Sequence, residues 1–179
     1  IPSYPPREVL KDYIMGRIDK QDIQKYIRFE CPVRWVTFDD ETQMFTVTVM
    51  NHKTGEQEVE EFDYVVVATG HFSTPNMPYF EGLEAFPGRV LHAHDFRDAL
   101  EFKGEDILLV GSSYSAEDIG TQCYKYGTKS VTISYRTQAL GYDWPEGIEE
   151  VPLLTHFEGD VAYFADGSSK TFDAIIMCT

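Results

Sequence analysis

Apolar and polar positions follow two different periods along the chain, and the change of period separates its elements. After Pro5-Pro6, the residues Val9, Leu10, Tyr13 and Ile14 fall on one helical face, and proline is tolerated in a first turn, so a helix starts at Arg7. A shorter helix is expected over 22–26. From Val33 the period drops to two. Val33-Arg34-Trp35-Val36-Thr37-Phe38 and Met44-Phe45-Thr46-Val47-Thr48-Val49 read as antiparallel strands around the polar turn 39–43, and Lys53-Thr54-Gly55 turns the chain again into a meander. Tyr64 to Ala68 is apolar at every position, which predicts a strand covered on both faces in the middle of a sheet. Residues 73–88 are punctuated by Pro and Gly and read as a linker between domains.

A second apolar strand, Asp106 to Val110, runs directly into Gly111-Ser112-Ser113-Tyr114-Ser115-Ala116. Behind it Ala116, Ile119, Cys123 and Tyr126 recur at helical spacing, Gly127 supplies a stop, and Ser130 to Tyr135 forms the next strand. This strand, turn, helix, strand order within about thirty residues is the unit that binds dinucleotides. Asp166-Gly167 is a hairpin turn between Val161–Phe164 and the segment from Thr171. Phe172 to Thr179 repeats the form of Phe62 to Thr69: Phe-Asp, an apolar run, then Thr. The second copy stops without a turn or polar tail and the first residue is Ile1, so an internal piece of a longer polypeptide is expected.

Composition narrows the function classes. With 179 residues, 42% of them hydrophobic, the chain can bury a core, which excludes disorder for most of it. A net charge of -15 repels phosphate backbones and anionic lipid, so neither nucleic acid nor a membrane surface is an expected partner. No apolar run reaches the roughly 18 residues that span a bilayer. Cys31, Cys123 and Cys178 are far apart and contain no C-x-x-C pair. That spacing points to no disulfide framework, zinc site or dithiol centre, and a cytoplasmic setting is expected. Acidic pairs such as Glu60-Glu61 and Glu149-Glu150 read as solvated faces.

The candidate chemistry lies in the turn after Val110. It fits the dinucleotide fingerprint as G-x-S-x-x-A: Gly111 permits the tight turn, small Ser113 lets a pyrophosphate approach the backbone, and Ala116 keeps helix and sheet close. The hydroxyls of Ser112, Ser113 and Ser115 can add hydrogen bonds to phosphate. About twenty residues on, where NAD proteins place a carboxylate, stand Arg136 and Thr137. An arginine can fork around a 2′-phosphate, which favours NADPH over NADH. The bland readings are a structural strand-to-helix turn and a solvated arginine.

Ahead of that strand, Phe86, Gly88, His92 and Phe96 match the fingerprint F-x-G-x-x-x-H-x-x-x-F, and the chain here resembles the flavin-containing monooxygenases, a family of class B flavoprotein monooxygenases. Baeyer-Villiger relatives end that motif in Trp. The stretches Leu91–Phe96 and Gly111–Asp118 look closely like the bacterial trimethylamine monooxygenase branch. The resemblance implies an α/β fold: a Rossmann-like NADPH-binding domain (73–176 with its linker) inserted in an FAD/NAD(P)-binding domain. Residues 1–72, with the β-meander, would be an incomplete part of that FAD domain, and 177–179 the return to it. It implies FAD and NADPH as cofactors. It assigns Gly111, Ser112, Ser113 and Ser115 to the NADPH pyrophosphate and Arg136 and Thr137 to its 2′-phosphate, with Tyr114 beside the nicotinamide. Ala68-Thr69-Gly70 resembles the family's interdomain A-T-G motif, Ser73, Thr74 and Pro75 lie near the cofactors, and the Val33 backbone meets the FAD adenine. His92 is expected to hold the interdomain linkage rather than move protons.

The activity so implied is NADPH- and O₂-dependent oxygenation of a soft nucleophile, a tertiary amine such as trimethylamine or a sulfide, through a C4a-hydroperoxyflavin. No catalytic residue is expected within the chain, and a homodimer is implied for the full-length protein. One departure matters: no G-x-G-x-x-G for FAD occurs in 1–65, so the FAD site is incomplete without other parts of the same polypeptide. A pyridine-nucleotide disulfide reductase and a noncatalytic NADP-binding module are the alternatives.

Overall fold

The computed structural model describes residues 5–179 and divides into two compact units, Ile1–Ala68 and Thr69–Thr179. In the first, α1 (Arg7–Lys20) and a 3-10 turn (Gln24–Tyr26) precede β1 (Val33–Asp39), β2 (Met44–Met50) and β3 (Gln57–Phe62). The strands form an antiparallel sheet in the order β1-β2-β3. Side-chain amide and carboxylate oxygens set both hairpins: Asp39 Oδ1 accepts from the N–H groups of Glu41 and Thr42, and Asn51 Oδ1 from those of Lys53 and Thr54. Only the central strand buries side chains deeply, at Val47 and Val49. The predicted apolar face of α1 is exposed.

The expected central strand at 64–68 is not a strand. The segment has no ladder partner, and Tyr64, Val66 and Val67 are 87, 86 and 81% exposed. An apolar run becomes a covered strand only when two neighbours supply hydrogen bonds on its edges. Among the described residues none does so here.

The second unit contains β4 (Arg89–His92), β5 (Asp106–Val110), α2 (Tyr114–Lys125), β6 (Ser130–Ser134), β7 (Ile148–Val151), β8 (Leu154–Glu158), β9 (Val161–Phe164), β10 (Ser169–Thr171) and β11 (Ala174–Met177). A five-stranded sheet, wholly parallel, has the order β4-β11-β5-β6-β7, and β10-β9-β8 form an antiparallel meander. Alternation along the parallel strands sorts the core into two layers. Ile107, Leu109, Val131, Ile133 and Ile176 cluster with Ala116, Ile119 and Cys123 of α2. Leu108, Val110, Ile175 and Met177 cluster with Phe157, Ala162 and Phe164 of the meander and with Phe172. The parallel sheet is thus covered by a helix on one face and a second sheet on the other, which is why β5 and β11 read as unbroken apolar runs.

Residues 73–88 are not a free linker. Phe80, Leu83 and Phe86 pack into the meander-side core, and Glu81 pairs with His156. The contact boundary falls after Ala68, and residues 177–179 lie in the second unit. No helix among the described residues is long and apolar enough to cross a membrane.

Candidate functional site

The turn out of β5 is set by backbone crowding. Gly111 has φ +121°, and a Cβ there would stand 2.4 Å from the carbonyl oxygen of Cys178, just past β11. Only glycine lets the segments leaving β5 and β11 lie this close. Ser113 then opens α2: its carbonyl accepts from the N–H groups of Ala116 and Glu117, while its hydroxyl caps none of the first-turn N–H groups. The N–H groups of Tyr114 and Ser115, ahead of these bonds, have no intrahelical acceptor, and with the helix dipole they present partial positive charge at the helix start.

Around this turn lies a crevice of about 580 Å³, outside the carboxyl ends of β5, β6 and β11, where open parallel sheets bind ligands. Gly111, Ser112, Ser113, Arg136 and Thr137 line it together. Arg136 is exposed, and no ion pair among the described residues engages it. Ser112 Oγ donates to the carbonyl of Gln138 at 3.1 Å, tying the turn to the loop that carries Arg136. Buried Ser134, which closes β6, donates to the carbonyl of Pro152 and accepts from the Leu154 N–H, fixing the crevice floor.

Sequence reasoning missed Ser134, Gln138, Asn76, Leu153, Cys178 and Thr179 in this lining. For the last two a signal existed in the repeated Phe-Asp-run-Thr pattern. Glu149 and Glu150, read as solvated, are engaged: Glu149 accepts from Lys170 Nζ and Thr132 Oγ1, and Glu150 from the N–H groups of Leu140 and Gly141. Glu60 likewise pairs with Arg28.

The other expected residues lie elsewhere. Ser115 faces a second cavity of about 350 Å³, shared with His92, Phe96 and Asp118, and Tyr114 is 81% exposed on the first turn of α2. His92 Nδ1 accepts from the His94 N–H at 3.0 Å, which leaves the proton on Nε2, 3.2 Å from the Thr179 carbonyl that accepts it. Both bonds fall inside the second unit. Phe86 is buried, and a Cβ on Gly88 would stand 2.1 Å from the Asp173 carbonyl, so this glycine admits β4 to the edge of β11. Phe96 stacks on Phe102 at 5.9 Å between centroids. Ser73, Thr74 and Pro75 do not line the crevice, whose wall from that segment is Asn76, Pro78 and Phe80. Thr69 and Gly70 are exposed at the start of the second unit, and Val33 is exposed on β1 of the first. Burial pushes the Cys123 thiol up to about 11 and the Cys178 thiol up to about 12, so both are neutral at physiological pH.

Comparison with known proteins now bears on this geometry. The flavin-binding monooxygenase-like family matches residues 1–143. The chain is 63% identical over its whole length to a trimethylamine monooxygenase of Methylocella silvestris and 59% identical to that of Roseovarius nubinhibens, and it spans 40% of the length of each. The crystal structure of Tmm from Pelagibacter sp. strain HTCC7211 superposes with a TM-score of 0.93 at 47% identity, covering all of this chain and 40% of that one. A glycine-gated crevice on a parallel sheet and a family match over four-fifths of the residues converge: this chain belongs to the flavin-binding monooxygenase-like family.

Proposed function

We propose that the polypeptide to which this chain belongs is an NADPH- and O₂-dependent flavin monooxygenase. Its substrate is a soft nucleophile, a tertiary amine such as trimethylamine that leaves as the N-oxide, or a sulfide. The named activity of the relatives, trimethylamine monooxygenase, supports the substrate class. The second unit holds NADP(H), as a Rossmann-like domain within a larger FAD-binding architecture. The observation that carries this reading is the crevice that combines the Gly111 turn and the α2 start with Arg136 and Thr137.

The donor set fits the cofactor. The backbone approach that Gly111 permits leaves a cradle a Cβ would fill, and the helix start complements a pyrophosphate. Ser113 offers a free hydroxyl beside Ser112, whose own hydroxyl is already donated to the Gln138 carbonyl, and the guanidinium of Arg136, unpaired among the described residues, matches a 2′-phosphate together with the Thr137 hydroxyl. The volume is within the range of small-molecule sites. Val33, Thr69 and Gly70 line neither of the two cavities described above, and FAD rests on the family alone.

When bound, the flavin supplies hydride acceptance and oxygen activation. This chain's residues bind and orient the nicotinamide cofactor. The apolar wall of Phe80, Pro78 and Leu153 excludes water from one side of it. The disulfide reductase alternative is disfavoured by the cysteines, since Cys31, Cys123 and Cys178 form no C-x-x-C pair and the latter two are buried.

Equilibrium titration of the full-length protein with NADPH and NADH tests the reading. NADPH should bind more tightly, and Arg136→Ala should weaken it by about 2 kcal/mol while leaving NADH unaffected. A preference unchanged by that substitution refutes the assignment.

A further inference from the structure

No ion pair among the described residues holds the side chain of Arg136, so its position depends on the loop that carries it. That loop, residues 135–147 between β6 and β7, has no regular structure beyond bends and turns. It is nevertheless fastened. Ser112 Oγ holds the Gln138 carbonyl, Leu140 packs against the helix-side core, and Tyr142 donates to Glu117 Oε2 at 3.3 Å. The strongest tie is the half-buried Glu150 on β7. Its two carboxylate oxygens each take one backbone N–H, from Leu140 at 2.5 Å and from Gly141 at 3.0 Å.

Hydrogen bonds from neutral N–H groups to a carboxylate are about twice as strong as neutral pairs, and here two of them grip consecutive residues. The adjacent Glu149 points to the other side of the strand and engages Lys170 and Thr132, far from the loop in bonding terms. Two neighbouring glutamates of identical chemistry therefore serve different elements.

We infer that Glu150 is a positioning residue for recognition of the cofactor's 2′-phosphate. By clamping the 140–141 backbone it keeps the Arg136–Gln138 segment in place over the crevice, so that binding does not have to order the loop. The inference rests on the proposed reading of the crevice as the NADP(H) site. A residue that only stabilised the fold would, when removed, weaken NADP⁺ and NAD⁺ alike. A residue that positions Arg136 weakens the phosphorylated cofactor selectively.

The test is calorimetric titration of full-length protein with NADP⁺ and NAD⁺, which requires no turnover. Glu150→Ala should weaken NADP⁺ about tenfold and NAD⁺ less than about twofold, and Glu150→Gln, which keeps one acceptor oxygen, about threefold for NADP⁺ alone. Glu149→Gln should lower Tm without altering the NADP⁺ to NAD⁺ ratio. If Glu150→Ala does not fold, the Gln variant decides alone. Parental or tighter NADP⁺ binding in the Glu150 variants, or equal weakening of both cofactors, overturns the positioning role provided Arg136→Ala has lost the preference. Should Arg136→Ala keep the preference, the crevice reading itself fails and the positioning role falls with it.

Discussion

Two segments of this chain carry nearly the same pattern and have opposite fates. Phe62-Asp63 leads into Tyr64-Val65-Val66-Val67-Ala68-Thr69, and Phe172-Asp173 into Ala174-Ile175-Ile176-Met177-Cys178-Thr179. The second is β11, fully buried between β4 and β5 in the parallel sheet. The first, after the end of β3, is unpaired and exposed. Propensity does not separate them, since both are rich in β-formers. What differs is the surroundings. Asp173 Oδ2 accepts the Asp106 N–H at the foot of β5, the Asp173 carbonyl accepts from Arg89 at the foot of β4, and Phe172 packs edge-on to Phe164. An Asp at that position registers a strand only if neighbouring strands start beside it.

Substitutions break this contrast by graded amounts. Ile176→Ala, which empties a site with no exposed surface between α2 and the sheet, should destabilise the 179-residue chain by about 2–5 kcal/mol in urea unfolding. Asp173→Ala should cost about 1–3 kcal/mol by stranding the Asp106 N–H, whereas Asp63→Ala leaves the unfolding midpoint nearly unchanged.

Acid sharpens the comparison further. Burial pushes the Asp106 carboxyl up, but hydrogen bonds from Lys129 and Ser130 and the Lys129 and Lys170 charges outweigh it, and the net direction is down. A carboxyl lowered on folding contributes stability above its unfolded value and loses it as pH falls through the folded one. Stability of the parallel-sheet unit should therefore drop below about pH 4, and Asp106→Asn should flatten that drop in pH-dependent unfolding. The smallest effect is expected at Val67→Ala, within about 0.5 kcal/mol in the same chain. A loss comparable to that of Ile176→Ala would show that the first run is buried after all.

Much of the fold was legible. The β1–β2–β3 turns, β5, α2 and β6 follow from period, from the polar turn 39–43 and Lys53-Thr54-Gly55, and from the glycines at 111 and 127, all signals that act within a few residues. The crevice was half legible: Gly111, Ser112, Ser113, Arg136 and Thr137 were found because a strand, turn and helix in series place them by local geometry. Ser115, expected beside the same phosphate, lines the second cavity, because the way a helix's first turn faces depends on how the helix packs. The engagement of Glu149 and Glu150 could not be read, because their partners lie on a loop and on a strand about ten to twenty residues away.

By itself the sequence determined the β1–β2 hairpin, β5, α2 and β6, the dinucleotide fingerprint and the family resemblance, because these depend on short-range periodicity and on residues close in the chain. Only the tertiary structure decided which apolar run is core, that Gly111 is required by the Cys178 carbonyl, and that Glu150 clamps the loop bearing Arg136. Those are contacts between distant segments, and a one-dimensional pattern records that a residue can make them, not which neighbour arrives.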